Sequence, residues 1–102
     1  MSKPINFAVP FPEAGENAIL TYDFNDLKAL QEALGDEYVR DIYRGLDASR
    51  IPIIETAMRI GIKGGDYEAA MRNVAVSDLT GRIADALTLR LRGRTVAELE
   101  VA

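Results

Sequence analysis

Cysteine, histidine and tryptophan are all absent from the 102 residues. Without Cys there is no disulfide, no thiolate nucleophile and no Cys-ligated zinc. That fits a reducing compartment. Without His the chain lacks the commonest metal ligand and the commonest general base near neutral pH, and no Ser–His–Asp triad can be assembled. Chemistry would fall to carboxylates, Arg, three Lys, four Tyr and a few Ser and Thr. This is a poor kit for an enzyme of this size, so the expectation is a protein with no catalytic, metal or cofactor site. Long apolar runs are also missing. The longest, such as Ala18-Ile19-Leu20, has three residues, far short of the ~20 a membrane helix needs. The opening Met1-Ser2-Lys3-Pro4 lacks the apolar stretch of a secretory signal.

The chain is 48% apolar and 27% charged, too apolar for a disordered segment and the right length for one domain spanning 1–102. Sixteen acids against twelve bases give a net charge of −4. Residues 1–35 carry −3, 36–65 balance, and 66–102 carry −1. A nucleic-acid binder would show a basic stripe, so nucleic acid is a disfavoured partner.

Residues 1–22 read as a β-hairpin. Ile5, Phe7 and Val9 alternate along one short run, Ala18–Tyr22 form a second, and the Pro- and Gly-bearing stretch 10–17 joins them. Pro10 and Pro12 are expected to bound the first strand. A lone hairpin is marginal in water, so it must lean on the helices or pair with another molecule. Residues 23–93 read as four to five short helices. Asp23 or Asn25 can cap the first, with Phe24, Leu27, Leu30 and Leu34 on one stripe and Gly35 after it. The second, from Asp36, groups Tyr38, Val39, Ile42, Tyr43 and Leu46 on one face. Ser49 can cap the third, which tolerates Pro52 in its first turn and is apolar nearly all round. It ends at Gly61, Gly64 and Gly65. Asp66 can cap the fourth and Ser77 the fifth, which ends at Gly93. The 94–102 tail opens on Thr95-Val96-Ala97-Glu98, with the spacing of a capping box. Four acid-to-Arg pairs at i, i+4 (Asp36–Arg40, Glu55–Arg59, Glu68–Arg72, Asp78–Arg82) support the helical reading. The fold class is α+β, mostly α, with an N-terminal hairpin on a compact bundle. The expected core is Phe24, Leu27, Leu30, Leu34, Val39, Ile42, Leu46, Ile54, Ala57, Met58, Met71, Val74, Leu79, Ile83 and Leu87.

Motifs that could carry chemistry read more simply as structure. Gly61-Ile62-Lys63-Gly64-Gly65 follows a helix and precedes Asp66, so it is a helix terminator and turn, not a phosphate loop. Glu37 and Asp41 share a helix face beside Arg40 and Arg44, a solvated arrangement. Arg82, Arg90, Arg92 and Arg94 could hold phosphates or complement the helix dipole in water, and the acids Glu98 and Glu100 that follow favour the second. Phe11, Ile51, Ile62 and Leu89 are hard to place inside, an interface if they cluster and ordinary scatter if they do not. The candidate partner-binding residues are these four together with Tyr38 and Tyr43.

The order of elements resembles a known family. A short hairpin feeds LTYDFNDLKALQEALG, then a helix, then IIETAMRIGIKGG ending in glycines, then DYEAAMRNVAVSDL, and a last helix closing at LRLRG. This is similar to the small tail proteins of gene transfer agents and siphophages, described as tail assembly chaperone-like or as tail tube proteins, over residues 18–93. The segment Phe7–Pro12 departs from that pattern. The resemblance implies a non-enzymatic role in tail morphogenesis in the cytoplasm of a bacterial host. The implied partner is the tape measure protein or the tail tube protein. The alternatives are a structural tube or connector subunit that self-associates, and a small nucleic-acid-binding regulator.

Overall fold

The structure, a computed structural model, describes residues 7–101; Ile5 of the expected first strand lies outside them. In chain order come β1 (Val9–Pro10), one 3-10 turn (Pro12–Ala14), β2 (Ile19–Leu20), α1 (Phe24–Leu34), α2 (Tyr38–Asp47), α3 (Ile51–Gly61), β3 (Ile62–Lys63), α4 (Tyr67–Asn73), α5 (Val76–Arg92) and α6 (Val96–Val101). The class is α+β, mostly helical, as the sequence predicts. The hairpin grows into a three-stranded antiparallel sheet in the order β1-β2-β3. Val9 pairs with Leu20 and Pro10 with Ile19; Ile19 and Leu20 then pair with Lys63 and Ile62 on the other side. Pro10 lies inside β1 and does not bound it. The outer position explains this, because a proline without an N–H is tolerated on an edge strand. Phe7 is not in a strand and has a left-handed backbone (φ 52°).

Local signals set most helix ends. Asp23 caps α1: its Oδ1 accepts the Asp26 N–H at 2.8 Å, and Asp26 Oδ2 accepts the Asp23 N–H at 3.0 Å. This reciprocal pair satisfies two of the orphan donors of a helix start. Asp66 caps α4 by accepting the Glu68 N–H at 3.0 Å. The Thr95–Glu98 box forms at α6, with the Thr95 N–H donating to Glu98 at 2.8 Å. Ser49 and Ser77 do not act as caps. Helix α3 starts from Arg50, and α5 from Ala75. Ser49 instead closes α2. Its N–H donates to the Leu46 carbonyl at 3.1 Å, and the next N–H, of Arg50, reaches back to Gly45 at 2.7 Å. That is the Schellman pattern, with Ser49 in its left-handed position (φ 54°).

Helix α3 is the hub, packing on α1, α2 and α5. Ile54, Ala57 and Met58 are buried within it. Gly45 lets α2 come close, since a Cβ there would lie 2.9 Å from Ile53. Tyr22, at the exit of β2, packs against the other end of α3 and donates its hydroxyl to the Ala57 carbonyl at 2.8 Å. Burial pushes that hydroxyl well above the usual phenol range. Leu30, Ile42, Leu46, Leu79, Ile83 and Leu87 join the core as expected. Leu27, Leu34, Met71 and Val74 pack half-buried against it.

Two members of the expected core are displaced. Phe24 is 71% exposed, because it is the first residue of α1 and its side chain lies beyond the partner helices. Val39 is half-buried and lines a groove. None of the four i, i+4 acid–Arg pairs is among the ion pairs formed by the described residues. Three of their arginines have other partners. Arg40 bonds Glu37, Arg59 lies over the Tyr67 ring at 4.4 Å, and Arg82 reaches Glu13 across the fold.

Candidate functional site

The six candidate partner residues separate into three groups. Phe11 and Leu89 are buried, at 0% and 5% exposure, and are withdrawn from the surface. Phe11 is turned inward where the chain enters the 3-10 turn, its N–H bonded to the Ala18 carbonyl at 2.9 Å. The Arg82 guanidinium covers its ring at 4.6 Å. Leu89 lies off the main stripe of α5 but is covered because β1 packs on that side of the helix. Ile62 is half-buried in β3, and Ile51, at the start of α3, is exposed. Tyr38 and Tyr43 are both half-buried on α2 and line separate grooves. The six do not form one patch.

The open apolar surface is built around a residue that sequence periodicity had sent inside. Phe24, Leu27, Lys28 and Gln31 recur at i, i+3, i+4 and i+7 along α1, and Tyr38 of α2 faces them. Together they line a cleft of about 320 Å³. Its position follows from the caps. Asp23 fixes where α1 begins, and so places Phe24 at the cleft's mouth. Gly35 turns the chain so that Tyr38 returns beside the same helix. Gln31 donates to Asp36 Oδ1 at 3.1 Å, tying α1 to that turn. The start of α1 is also pinned from behind. Lys63 of β3 donates to Asp26 Oδ2 at 2.6 Å and to the Ile60 carbonyl at 2.8 Å. The exposure of Phe24 could have been read from its place as first helical residue, just after the cap.

Two further open spaces lie between α2 and α5, both bordered by Tyr43 and by Val96 of α6. Tyr43 shares a hydrogen bond with buried Thr88 at 2.6 Å. The arginine patch is split by the fold. Arg82 is engaged twice, with Glu13 through Nη1 and Nη2 at 2.7 and 2.9 Å and with the Phe11 ring. Arg90 lies 5.8 Å over the Phe7 ring. The Arg82 hydrogen bonds hold the Glu13 carboxyl at a pKa of about 2, and Glu13 in turn raises that of Arg82. Among the described residues no group of three or more carboxylates is placed to hold a metal ion, and no helix is long and apolar enough to cross a membrane. No family model, no curated protein and no solved structure matches the chain.

Proposed function

We propose that this chain is a non-enzymatic tail-morphogenesis protein of the phage and gene transfer agent type, acting as an assembly chaperone that holds the helix-rich tape measure protein before a tube forms around it. The observation that carries the reading is the cleft of Phe24, Leu27 and Tyr38, with an aromatic ring 71% exposed at its mouth. An exposed Phe costs solubility unless something covers it, and a groove whose apolar lining is Phe24, Leu27 and Tyr38 suits the apolar face of a helix. The resemblance of residues 18–93 supplies the kind of client. An acidic chain, at −4 overall, would keep the loaded complex dispersed.

The test is co-expression with tape measure fragments and a pull-down. Phe24→Asp is expected to weaken capture at least ~30-fold, the loss of an aromatic hot spot. Its melting temperature should stay close to that of the unaltered chain, since an exposed site changes stability by only ~0.5 kcal/mol. Undiminished capture by Phe24→Asp would remove the reading. A second reading, a structural tail subunit, is favoured by the sheet. Its two outer strands, β1 and β3, are each paired on one side only among the described residues, the place where a neighbouring copy would add. Rings or filaments in a concentration series followed by light scattering would support that reading; a monomer throughout would exclude it.

A further inference from the structure

The Phe24 cleft carries two hydrogen-bond donors that the fold leaves without a protein partner. Lys28 of α1 lines one wall, and Tyr38 of α2 lines the facing side. Lys28 stands about one turn after Phe24, so its carbon stem extends the apolar wall while its ammonium stays in water. The ion pairs of the described residues are Arg40–Glu37, Lys63–Asp26 and Arg82–Glu13, and Lys28 is in none of them. The acids around it are engaged elsewhere. Asp26 is held by Lys63 and by the Asp23 N–H. Asp36 accepts from Gln31, and Glu37 pairs with Arg40. Glu32 follows Lys28 by four residues, the less favourable order for a pair on one helix. Tyr38 is half-buried, and its hydroxyl makes no hydrogen bond among the described residues. The hydroxyls of Tyr22 and Tyr43 are both bonded, to the Ala57 carbonyl and to Thr88.

We propose that this cleft selects its helix by a carboxylate: the occupant is an amphipathic helix with an Asp or Glu side chain beside its apolar stripe, met by the Lys28 ammonium and the Tyr38 hydroxyl. The inference rests on the reading of the cleft as a helix-holding groove and adds which helices it holds. An ammonium offers three N–H donors and no acceptor, and a phenol donates its O–H. Both therefore suit an anion, and hydrogen bonds to an ionised acceptor are the stronger kind. The two donors come from different elements, so one carboxylate between them ties the occupant to α1 and α2 together. With apolar side chains of the occupant against Phe24 and Leu27, that carboxylate falls about one turn along, where Lys28 stands. A Lys or Arg at the same place would meet a like charge. The net charge of −4 gives an acidic helix no long-range attraction, so the carboxylate is read on contact and sets specificity more than affinity.

The experiment titrates the full chain into three labelled, capped helical peptides and follows fluorescence anisotropy. The peptides share a leucine stripe at i, i+3, i+4 and i+7 and carry Glu, Gln or Lys at the two positions flanking its centre. The unaltered chain is expected to bind the Glu peptide at least ~5-fold more tightly than the Gln peptide, and the Lys peptide least. Lys28 is exposed, so Lys28→Glu is expected to fold normally and to reverse that order. Tyr38→Phe keeps the ring and should cut the Glu-over-Gln preference at least ~2-fold, with the affinity for the Gln peptide unchanged. Equal binding of the three peptides, lost in Phe24→Asp, would overturn the proposal and leave the helix-holding groove standing. So would a Glu preference that survives Lys28→Glu and Tyr38→Phe unchanged. Binding of no peptide, or binding that Phe24→Asp does not weaken, would overturn the groove itself and the proposal with it.

Discussion

Ser49 occupies a position that its side chain disfavours. The Schellman closure of α2 needs a left-handed residue, and Ser49 supplies one at φ 54°. For a residue with a Cβ that conformation costs ~1–2 kcal/mol. Glycine adopts it freely but loses ~0.4–1 kcal/mol through the greater freedom of its unfolded chain. The net is a stabilisation of ~0.5 kcal/mol for Ser49→Gly, read as a small upward shift of the urea midpoint with an unchanged slope. An unchanged or lower midpoint would show that the serine is held there by something other than the turn. The same position shows what single residues hide in a sequence. Ser before a helical pattern reads as an N-cap, but here two closely spaced helices compete for it, and the C-terminal closure of α2 wins. Phe24 misleads in the opposite way. Its spacing from Leu27 and Leu30 is right for the core stripe, but spacing does not report that the first residue of a helix can overhang its partners.

Helix α3 and the chain leaving β2 come closest at Gly61. A Cβ on Gly61 would lie 2.6 Å from the Tyr22 ring, whose hydroxyl is fixed on Ala57. The ring is buried and cannot swing away, so the backbone would have to move. Gly61→Ala is therefore expected to cost ~1–3 kcal/mol, in the range of core overpacking, with the hydroxyl's hydrogen bond strained or lost. Chemical denaturation measures the first effect and near-ultraviolet circular dichroism of the tyrosines the second. A variant as stable as the unaltered chain would mean that α3 slides freely against the strand. At this scale much was legible. The five helices before Gly93 and the capping box after it follow from apolar stripes, Asp and Thr caps, and terminal glycines. Strand β3 was not legible, because two residues carry no periodicity and Gly61 reads as a stop. Its pairing with β2 exists because α3 delivers Ile62 beside Leu20. Leu89 was misplaced for a related reason: α5 is covered on more than one side, and a single-stripe reading assumes one covered face.

Across the whole molecule, a charged clasp fastens the N-terminal segment to the long helix. Glu13, in the 3-10 turn, and Arg82, in α5, are 69 residues apart. Their side chains are 32% and 23% exposed, so solvent screens the pair only in part, and the two hydrogen bonds supply the geometry. Arg82 also roofs Phe11, and the Asp66 N–H donates to the Ala14 carbonyl at 2.9 Å. The clasp, the buried ring and the start of α4 therefore belong to one assembly. The pH dependence follows from the Glu13 carboxyl, which has a pKa of about 2 in the fold against 4.5 when free. Between these values the unfolded chain binds more protons than the folded one, so acid favours unfolding. The clasp's contribution is complete above about 4.5 and is lost as pH falls through about 2. Asp23 adds an acid-sensitive contribution of the same sign, its carboxyl held below the usual range by the Asp26 N–H it accepts. The informative quantity is therefore the difference between the unaltered chain and Glu13→Gln, followed by urea denaturation from pH 7 to pH 2. That difference should be constant near neutrality, begin to shrink below about 4.5 and close near 2. A gap that stays constant down to pH 2 would mean that the charge on Glu13 contributes nothing, and that packing alone holds the turn to α5.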